Sequence, residues 1–483
     1  MLREVLEASE ACRAGSLHDA AVERLGQSVF RRVGHDPGVT VTEKRAISDA
    51  VKRAPRYDGL AYHTIAQLAE RITGNYLRRW AAILGGAGQP PELTARSIAT
   101  HLLDHGFSTQ FLHAWFSQKL YRDPTPISLA ELCEAAHGDL AVRAPANFEV
   151  LVAFQNAPRS ASGYPTNWLN TAAVVQWLRQ NDFAVNEVRA TGGLLLTIES
   201  RDAQAAADLA ADRIDQFVAR SSVATTSALK PWPAVWVRGQ SRPFPFGPRP
   251  RGVRVKALYR EDQIFNDSAT NVDAAIELIA HLENSSASAA VAGGWAAIEA
   301  LLAEPGDRAN AAESLASIVA CSFPRAELTA LSYACEPECV DLAPALQACT
   351  ENRQRAQTIA GAILQGHTLN LRRPSDRASH RRMLHLLESP SKRLTALQVH
   401  LADAFHRLYR QRNIILHGAK TNSIALRGSL RTSAKLVGAG MDRIVHAWYV
   451  KETRPVELAA RARSAILLVP EGSPAAFVDL LGV

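Results

Sequence analysis

The sequence predicts a multidomain α+β protein, mainly α, with one α/β segment between two helical ones. Three observations carry this. Apolar residues recur at helical spacing through residues 1–140 and again from 262 onward. Between them, 145–260 mixes short apolar runs with two amphipathic helices. Glycines, prolines and capping residues fall where the patterns change. A length of 483 residues suits about three domains. The expected parts are a helical module over 1–140, an α/β domain over 145–260, a helical bundle over 262–455 and a tail over 456–483.

Within the first part, Ala61 to Leu84 places Ile65, Leu68, Ile72, Leu77, Trp80 and Ile83 on one helical face, and Gly85-Gly86 ends the run. A second helix is expected from Glu92 to His105, broken by Gly106. A third starts at the Ser108 cap and runs to about Leu120. Two helices joined at a glycine invite a helix-turn-helix reading over 92–120. The third helix, however, carries Phe111, Leu112, Trp115 and Phe116, which suit a core better than base edges.

In the middle part, Phe148–Phe154 reads as a strand and Trp168–Gln180 as a helix. Phe183–Arg189 and Leu194–Glu199 read as strands joined by a turn near Gly192-Gly193. Ala203–Ala219 is a helix, Ala234–Val237 a strand and Val253–Tyr259 a last strand. The order βαββαβ matches a ferredoxin-like sandwich, a fold that hosts many functions and implies none.

From 262 onward the expected helices are Asp273–Leu282, Ser286–Leu302, Ala311–Ala320 with Asn310 as its cap, shorter ones over 323–371, Arg377–Leu387, Thr395–His417 and Thr432–Val450. The tail carries an apolar run, Ala465–Val469.

Composition narrows the function classes. The chain is 47% hydrophobic and 21% charged, which excludes a wholly disordered protein. No run of about 18 apolar residues offers a membrane span. The first ten residues carry Glu4, Glu7 and Glu10 and lack the apolar core of a secretory signal. Six cysteines are too few for a disulfide scaffold. A cytoplasmic, reduced setting is the expectation.

Net charge is +7, and its distribution says more than the total. Residues 141–260 hold 15 basic and 8 acidic side chains, the whole excess. Residues 261–350 are at −12 and 351–435 at +12, so one helical segment is polarised. Between Lys230 and Arg260 stand eight cations, no acid and six prolines. Lys230, Arg238, Arg242, Arg249, Arg251, Arg254 and Lys256 alternate there with Trp232, Trp236, Phe244 and Phe246. Cations beside aromatics suit single-stranded RNA, whose phosphates are neutralised while its bases stack. A proline-rich linker with a solvated basic face is the other reading.

The most informative segment runs from Phe405 to Gly418. Leu397, Leu401, Phe405, Leu408 and Ile415 form its apolar stripe, and Arg412 falls on the same stripe. A guanidinium among core residues is costly unless it is paired or faces an interface. His417 is expected at the last helical position, because Gly418 is a natural stop. The negative helix end there favours imidazolium. Arg412 and His417 lie about 140° and about 7.5 Å apart on a straight helix. Convergence on one atom therefore points to two copies meeting about a two-fold axis.

Arg412-Asn413 followed after three residues by His417 resembles the signature of HEPN-domain ribonucleases, with Tyr409 and Gly418 in the expected flanks. Upstream, Gly294 to Leu302 resembles the tryptophan–glutamate helix of HEPN proteins in phage defence, including ApeA-like ones, with Trp295 and Glu299 in those places. The resemblance covers about 262–455. It implies an endoribonuclease, independent of metal and cofactor, that works as a homodimer on RNA in anti-phage defence or as a toxin. His417 then moves protons near neutral pH and Arg412 meets the phosphate. Asn413 orients the imidazole or touches phosphate. Glu299 pairs with Arg412 or polarises the site. Arg410 and His406 contact RNA from the His417 side.

Two other function classes stay open on the sequence. One is a non-catalytic nucleic-acid-binding or sensor protein that uses the bundle to dimerise. The other is a DNA-binding regulator acting through 92–120. Cys335, Cys339, Cys349 and His367, with Cys321 as a rival, invite a zinc reading, but the spacing departs from paired CxxC sites and buried structural cysteines fit better.

Overall fold

The computed structural model describes residues 1–84, 90–122, 127–158, 163–185, 188–247, 250–304, 306–336, 338–469 and 477–482. The protein is mainly helical, with one small antiparallel sheet. In chain order the first helices are α1 (Leu2–Arg13), α2 (Asp19–Gly34), α3 (Val41–Val51), α4 (Leu60–Leu84), α5 (Pro91–Asp104), α6 (Thr109–Ser117) and α7 (Leu129–Val142). The α/β stretch follows as β1 (Ala146–Asn156), β2 (Trp168–Asn170), α8 (Thr171–Gln180), β3 (Gly192–Ser200), α9 (Ala203–Ala224), β4 (Lys230–Val237) and β5 (Phe244–Pro245). Then come α10 (Ala257–Arg260), α11 (Asn271–Asn284), α12 (Ala287–Leu302), α13 (Asn310–Cys335), α14 (Ala343–Gln347) and α15 (Asn352–Leu364). The last four are α16 (Pro374–Glu388), α17 (Pro390–Leu416), α18 (Leu426–Lys451) and α19 (Pro455–Leu467). Among the described residues no helix is long and apolar enough to cross a membrane.

The chain forms two compact units, one of Met1–Phe30, Ala50–Ile65 and Arg249–Val483, the other of Arg31–Asp49 and Ala66–Pro248. The N-terminal helices are thus shared between both units instead of forming a module of their own. Nor is 456–483 a loose tail. Leu458, Ala459, Ala462 and Ile466 of α19, with Phe477, Val478 and Leu481, belong to the same apolar core as Trp295, Leu315, Phe405 and Met441.

In the second unit the sheet order is β2-β3-β1-β4-β5. Central β1 is buried on both faces, which explains its unbroken apolar run. Val150, Val152 and Phe154 pack with Ala206, Ala210 and Ile214 of α9. Leu151 and Ala153 pack with Val174, Trp177 and Leu178 of α8.

The ferredoxin-like expectation needs correcting here. Phe183–Val185 is not a strand. Asp182 takes a left-handed φ of 60°, and Phe183 folds back onto α8, stacking on Trp177 at 6.0 Å. The edge position beside β3 is filled by Trp168–Asn170, before α8 and not after it, with Trp168 opposite Leu194. The expected helix from Trp168 therefore begins only at Thr171, where Asn170 caps it by accepting from Ala173 N at 2.9 Å. Gly192-Gly193 is not a hairpin turn but the first two residues of β3.

Val253–Tyr259 is not a strand either. It lies in the first unit, where Val253 N donates to Glu283 Oε2 at 2.8 Å and Ala257 N to Asp442 Oδ1 at 2.7 Å. Side-chain carboxylates have taken the donors that a ladder would have used. In α13, Asn310 is the first helical residue, not the cap, and its side chain accepts from Arg463 Nη2 at 2.8 Å. The helix runs on through a buried Pro324 to Cys335. Gly293 allows α12 to press on α11, since a Cβ there would meet Leu278 O at 2.7 Å. The Gly85-Gly86 stop lies outside the described residues.

Candidate active site

The site sits where the ends of α12 and α17 meet. Trp295 is fully buried, and its ring lies 4.7 Å from that of Tyr409. This contact sets one helix against the other through two large aromatic surfaces. The indole Nε1 donates to Glu299 Oε2 at 2.8 Å. One turn separates the two residues, so the tryptophan fixes the carboxylate at the mouth of the interhelical groove.

Glu299 faces two guanidiniums. Arg412 Nη2 is 4.0 Å from its Oε2, and Arg308 Nε is 3.2 Å from its Oε1. Arg412 is mostly covered, with its side chain 19% exposed, and is paired as a guanidinium on an apolar stripe must be. Arg412 Nη1 donates to Asn413 Oδ1 at 2.9 Å and contacts His417 Nε2 at 3.1 Å.

This last contact corrects the helix-wheel expectation. One chain brings Arg412 and His417 together without a second copy. The reason is local. His417 is not a helical residue but the C-cap of α17, with φ −100° and ψ −26°, and the long arginine side chain spans the remaining gap. The left-handed residue ending the helix is Ala419, φ 51°, and not Gly418. Gly418 is needed for closeness: a Cβ there would meet Ile414 O at 2.7 Å and Ser16 Oγ at 3.1 Å.

A guanidinium has donors only, so a hydrogen bond across this contact needs Nε2 as its acceptor. His417 is exposed, and the preceding Leu416 is 52% exposed. Asn413 does not touch the imidazole; its side chain holds Arg412, and only its backbone carbonyl meets His417, accepting from N at 2.9 Å.

Arg410 and His406 lie elsewhere and are buried. His406 Nε2 bonds Glu313 Oε1 at 2.6 Å. Burial pushes the Arg410 guanidinium down to about 10, against the pull of Glu4. Burial alone would raise Glu4, but Arg407, the chain's amino group and Arg410 together hold it below the usual carboxylate range. Neither Arg410 nor His406 is placed to contact RNA; both serve the packing of α17. Seven and eleven residues before His417, both positions share its face of a straight helix, but Glu4 of α1 and Glu313 of α13 cover them there.

The same side of α17 receives α1. Glu4 pairs with Arg407. Glu7 Oε1 lies 2.9 Å from Lys420 Nζ, and Glu7 Oε2 accepts from Ser423 Oγ at 2.7 Å. Tyr62 Oη donates to Glu10 Oε1 at 2.9 Å. The acidic helix and Ser16 therefore brace the loop that follows His417. The sequence offers the i, i+3, i+6 glutamates as the only signal of this, and Arg308 has none, because its partner lies across a loop.

The basic strip over 230–260 divides between the two units. Lys230, Arg238 and Arg242 belong to one unit and Arg251, Arg254 and Lys256 to the other. Arg238 pairs with Glu149 and donates to Asn181 Oδ1 at 3.1 Å. Arg251 donates to Leu282 O at 3.1 Å and Ser285 O at 2.8 Å. Arg254 pairs with Glu283 Oε1 at 2.7 Å. Trp236 is 3% exposed, and Phe244 and Phe246 pack on the sheet core. Lys230, Arg242 and Lys256 are exposed. Arg249 lies outside the described residues.

In the 92–120 segment, Leu112 and Trp115 are buried and α6 contains no lysine or arginine. Cys335 and Cys339 are joined as a disulfide. Cys321 is buried, its thiol pushed up to about 12 by burial. Among the described residues no group of three or more His, Cys, Asp or Glu is placed to hold a metal. Compared with protein-family models, curated proteins and solved structures, the chain matches none.

Proposed function

We propose that the protein is an endoribonuclease of HEPN type, and the observation that carries this reading is the Arg412–His417 contact at 3.1 Å on an exposed helix end. RNA supplies its own nucleophile, the 2′-hydroxyl. A phosphate entering the site draws the Arg412 guanidinium to itself, because a bidentate charge-assisted contact outcompetes a neutral acceptor. This uncovers Nε2 of a neutral His417, whose lone pair takes the 2′-hydroxyl proton as the oxygen attacks phosphorus. The 5′-oxygen leaves and takes up a proton. Products are a 2′,3′-cyclic phosphate and a 5′-hydroxyl end. Arg412 stabilises the charge that builds on the phosphoryl oxygens.

Glu299, held by Trp295, faces the second guanidinium nitrogen of Arg412 and so orients the fork toward an incoming phosphate. A homodimer through the helical bundle, as the HEPN resemblance implies, sets two such pairs beside each other. Anti-phage defence or toxicity is the setting that resemblance suggests.

The test is incubation with total RNA and with tRNA, comparing wild type with His417→Ala and Arg412→Ala, with and without EDTA. The reading expects cleavage by wild type in either condition and none by the variants, both still folded. Full activity in His417→Ala, or loss of activity with EDTA, overturns it. Salt-dependent RNA binding without turnover by wild type would instead favour a binding or sensor protein.

A further inference from the structure

Arg238 and Arg254 of the 230–260 strip are already paired with carboxylates, and the chain holds a second basic segment over 351–435. Much of it lies on α16 and the start of α17, in the same compact unit as His417. From Arg372 to Arg393 there are seven arginines and lysines against two acids, Asp376 and Glu388. Some cations are matched: Arg372 with Glu338 at 2.6 Å and Arg382 with Glu327 at 2.8 Å. Glu388 is engaged by His385 at 3.3 Å.

The others form a pattern. Arg373, Arg377 and Arg381 stand at i, i+4 and i+8 and are all exposed. The opposite face of α16 buries Ala378, Met383, Leu386 and Leu387. Arg377 donates only to the carbonyls of Leu371 and Arg372, at 3.0 and 2.8 Å, so its charge is not neutralised. Among the described residues Arg373, Arg381, Lys392 and Arg393 have no carboxylate partner. His380 is held below its ordinary value, first by burial and then by neighbouring Arg381. Like charges at i, i+4 destabilise a helix, so such a stripe is a cost to the fold that an anionic partner offsets.

We infer that the Arg373–Arg377–Arg381 stripe, with Lys392 and Arg393, is a docking track for the phosphate backbone of single-stranded RNA, separate from the cleavage site. The spacing fits. Successive arginines are about 6 Å apart along the helix axis, a scale on which one extended strand presents its phosphates. The track carries no exposed aromatic residue, so it reads backbone and not bases. Arg393 and Arg412 are about 28 Å apart along α17. The track therefore grips RNA at a distance from the bond that breaks, and acts on binding, not on the chemical step. This inference rests on the ribonuclease reading for its choice of RNA over another polyanion.

The experiment measures anisotropy of a fluorescent single-stranded RNA titrated with full-length His417→Ala, so that binding is read without cleavage. The comparison variant adds Arg373→Gln, Arg377→Gln and Arg381→Gln. A control of equal charge change carries Lys451→Gln, Arg454→Gln and Arg461→Gln in their place. Three lost phosphate contacts should weaken binding by about tenfold or more, and should lower the slope of log Kd against log salt by about 2. The control should keep both affinity and slope.

In the cleaving background the stripe variant should raise KM on long RNA and leave kcat unchanged. An unchanged affinity and slope in a folded stripe variant overturns the inference, as does an equal loss in the control. Loss of binding to anionic vesicles with RNA binding intact also overturns it. Absence of cleavage by wild type, with stripe-dependent RNA binding retained, sinks the ribonuclease reading and not the track.

Discussion

Arg412 Nη1 lies 3.1 Å from His417 Nε2 and donates to Asn413 Oδ1 across 2.9 Å, so a single guanidinium nitrogen stands against both side chains. On the proposed ribonuclease reading, Arg412 covers the histidine until an incoming phosphate draws it away. Substrate entry and base release are then one event.

The fork geometry of Arg412 is central to this, not its charge alone. Arg412→Lys keeps a cation but loses the planar donors that reach Asn413, His417 and phosphate together. Cleavage rate at saturating RNA should fall by about 100-fold, with an unchanged melting temperature. A lysine variant within threefold of wild type would show that a point charge suffices.

On the same reading Glu299 acts as a positioning residue. Its Oε2 is held by Trp295 at 2.8 Å and its two oxygens face Arg412 and Arg308. Glu299→Gln preserves shape and removes the anion. Arg412 then loses the anion that orients its fork, and cleavage should drop by about tenfold or more. RNA binding should tighten slightly, because a negative charge has left the phosphate's approach. A merely structural role would lower the melting temperature and leave the split between KM and kcat unmoved.

The brace from α1 yields a stability prediction. Glu7→Ala leaves Ser423, 7% exposed, without its acceptor, and removes the nearer of the two carboxylate partners of half-exposed Lys420, Glu10 remaining at 3.7 Å. Unfolding free energy should fall by about 2 kcal/mol in denaturant titrations. Cleavage should fall as well, because the loop after His417 loses its support. Unchanged activity in this variant would separate the brace from the site.

Acid should destabilise the protein in a defined window. Asp273 accepts from Thr270 and Tyr449 and is lowered from 3.8 to about 2. Burial raises Glu4 and Glu313, but ion pairs with Arg407 and with His406 leave both below their ordinary 4.5. Each carboxylate binds its proton less readily folded than unfolded. Their contribution is therefore complete above the unfolded values and is lost as pH falls through the folded ones. Melting temperature should hold from neutral pH to about 5 and then decline toward pH 2. Asp273→Asn should flatten the lower end of that decline.

The sequence revealed the helices whose apolar faces repeat over several turns, such as α4, α11, α12 and α17. It also placed Trp295, Glu299, Arg412 and His417 in one segment pair. What it hid is long-range. Arg410 and His406 look like surface groups until Glu4 and Glu313 are brought to them. The cations of 230–260 look free until Glu149 and Glu283 arrive from other elements. Phe183–Val185 and Val253–Tyr259 are short apolar runs, whose pattern does not separate a strand from a loop or, at Ala257–Tyr259, from a turn of helix. Pro324 reads as a break, yet α13 passes through it because packing along its length outweighs one lost hydrogen bond.

The most direct test of the central claim uses an RNA that wild type cleaves, prepared with a single 2′-deoxynucleotide at the mapped site. Cleavage should cease at that bond only, and the unmodified strand should yield a 2′,3′-cyclic phosphate and a 5′-hydroxyl. Cleavage at the deoxy position, or a 5′-phosphate product, would contradict an Arg412–His417 site that uses the substrate's own hydroxyl.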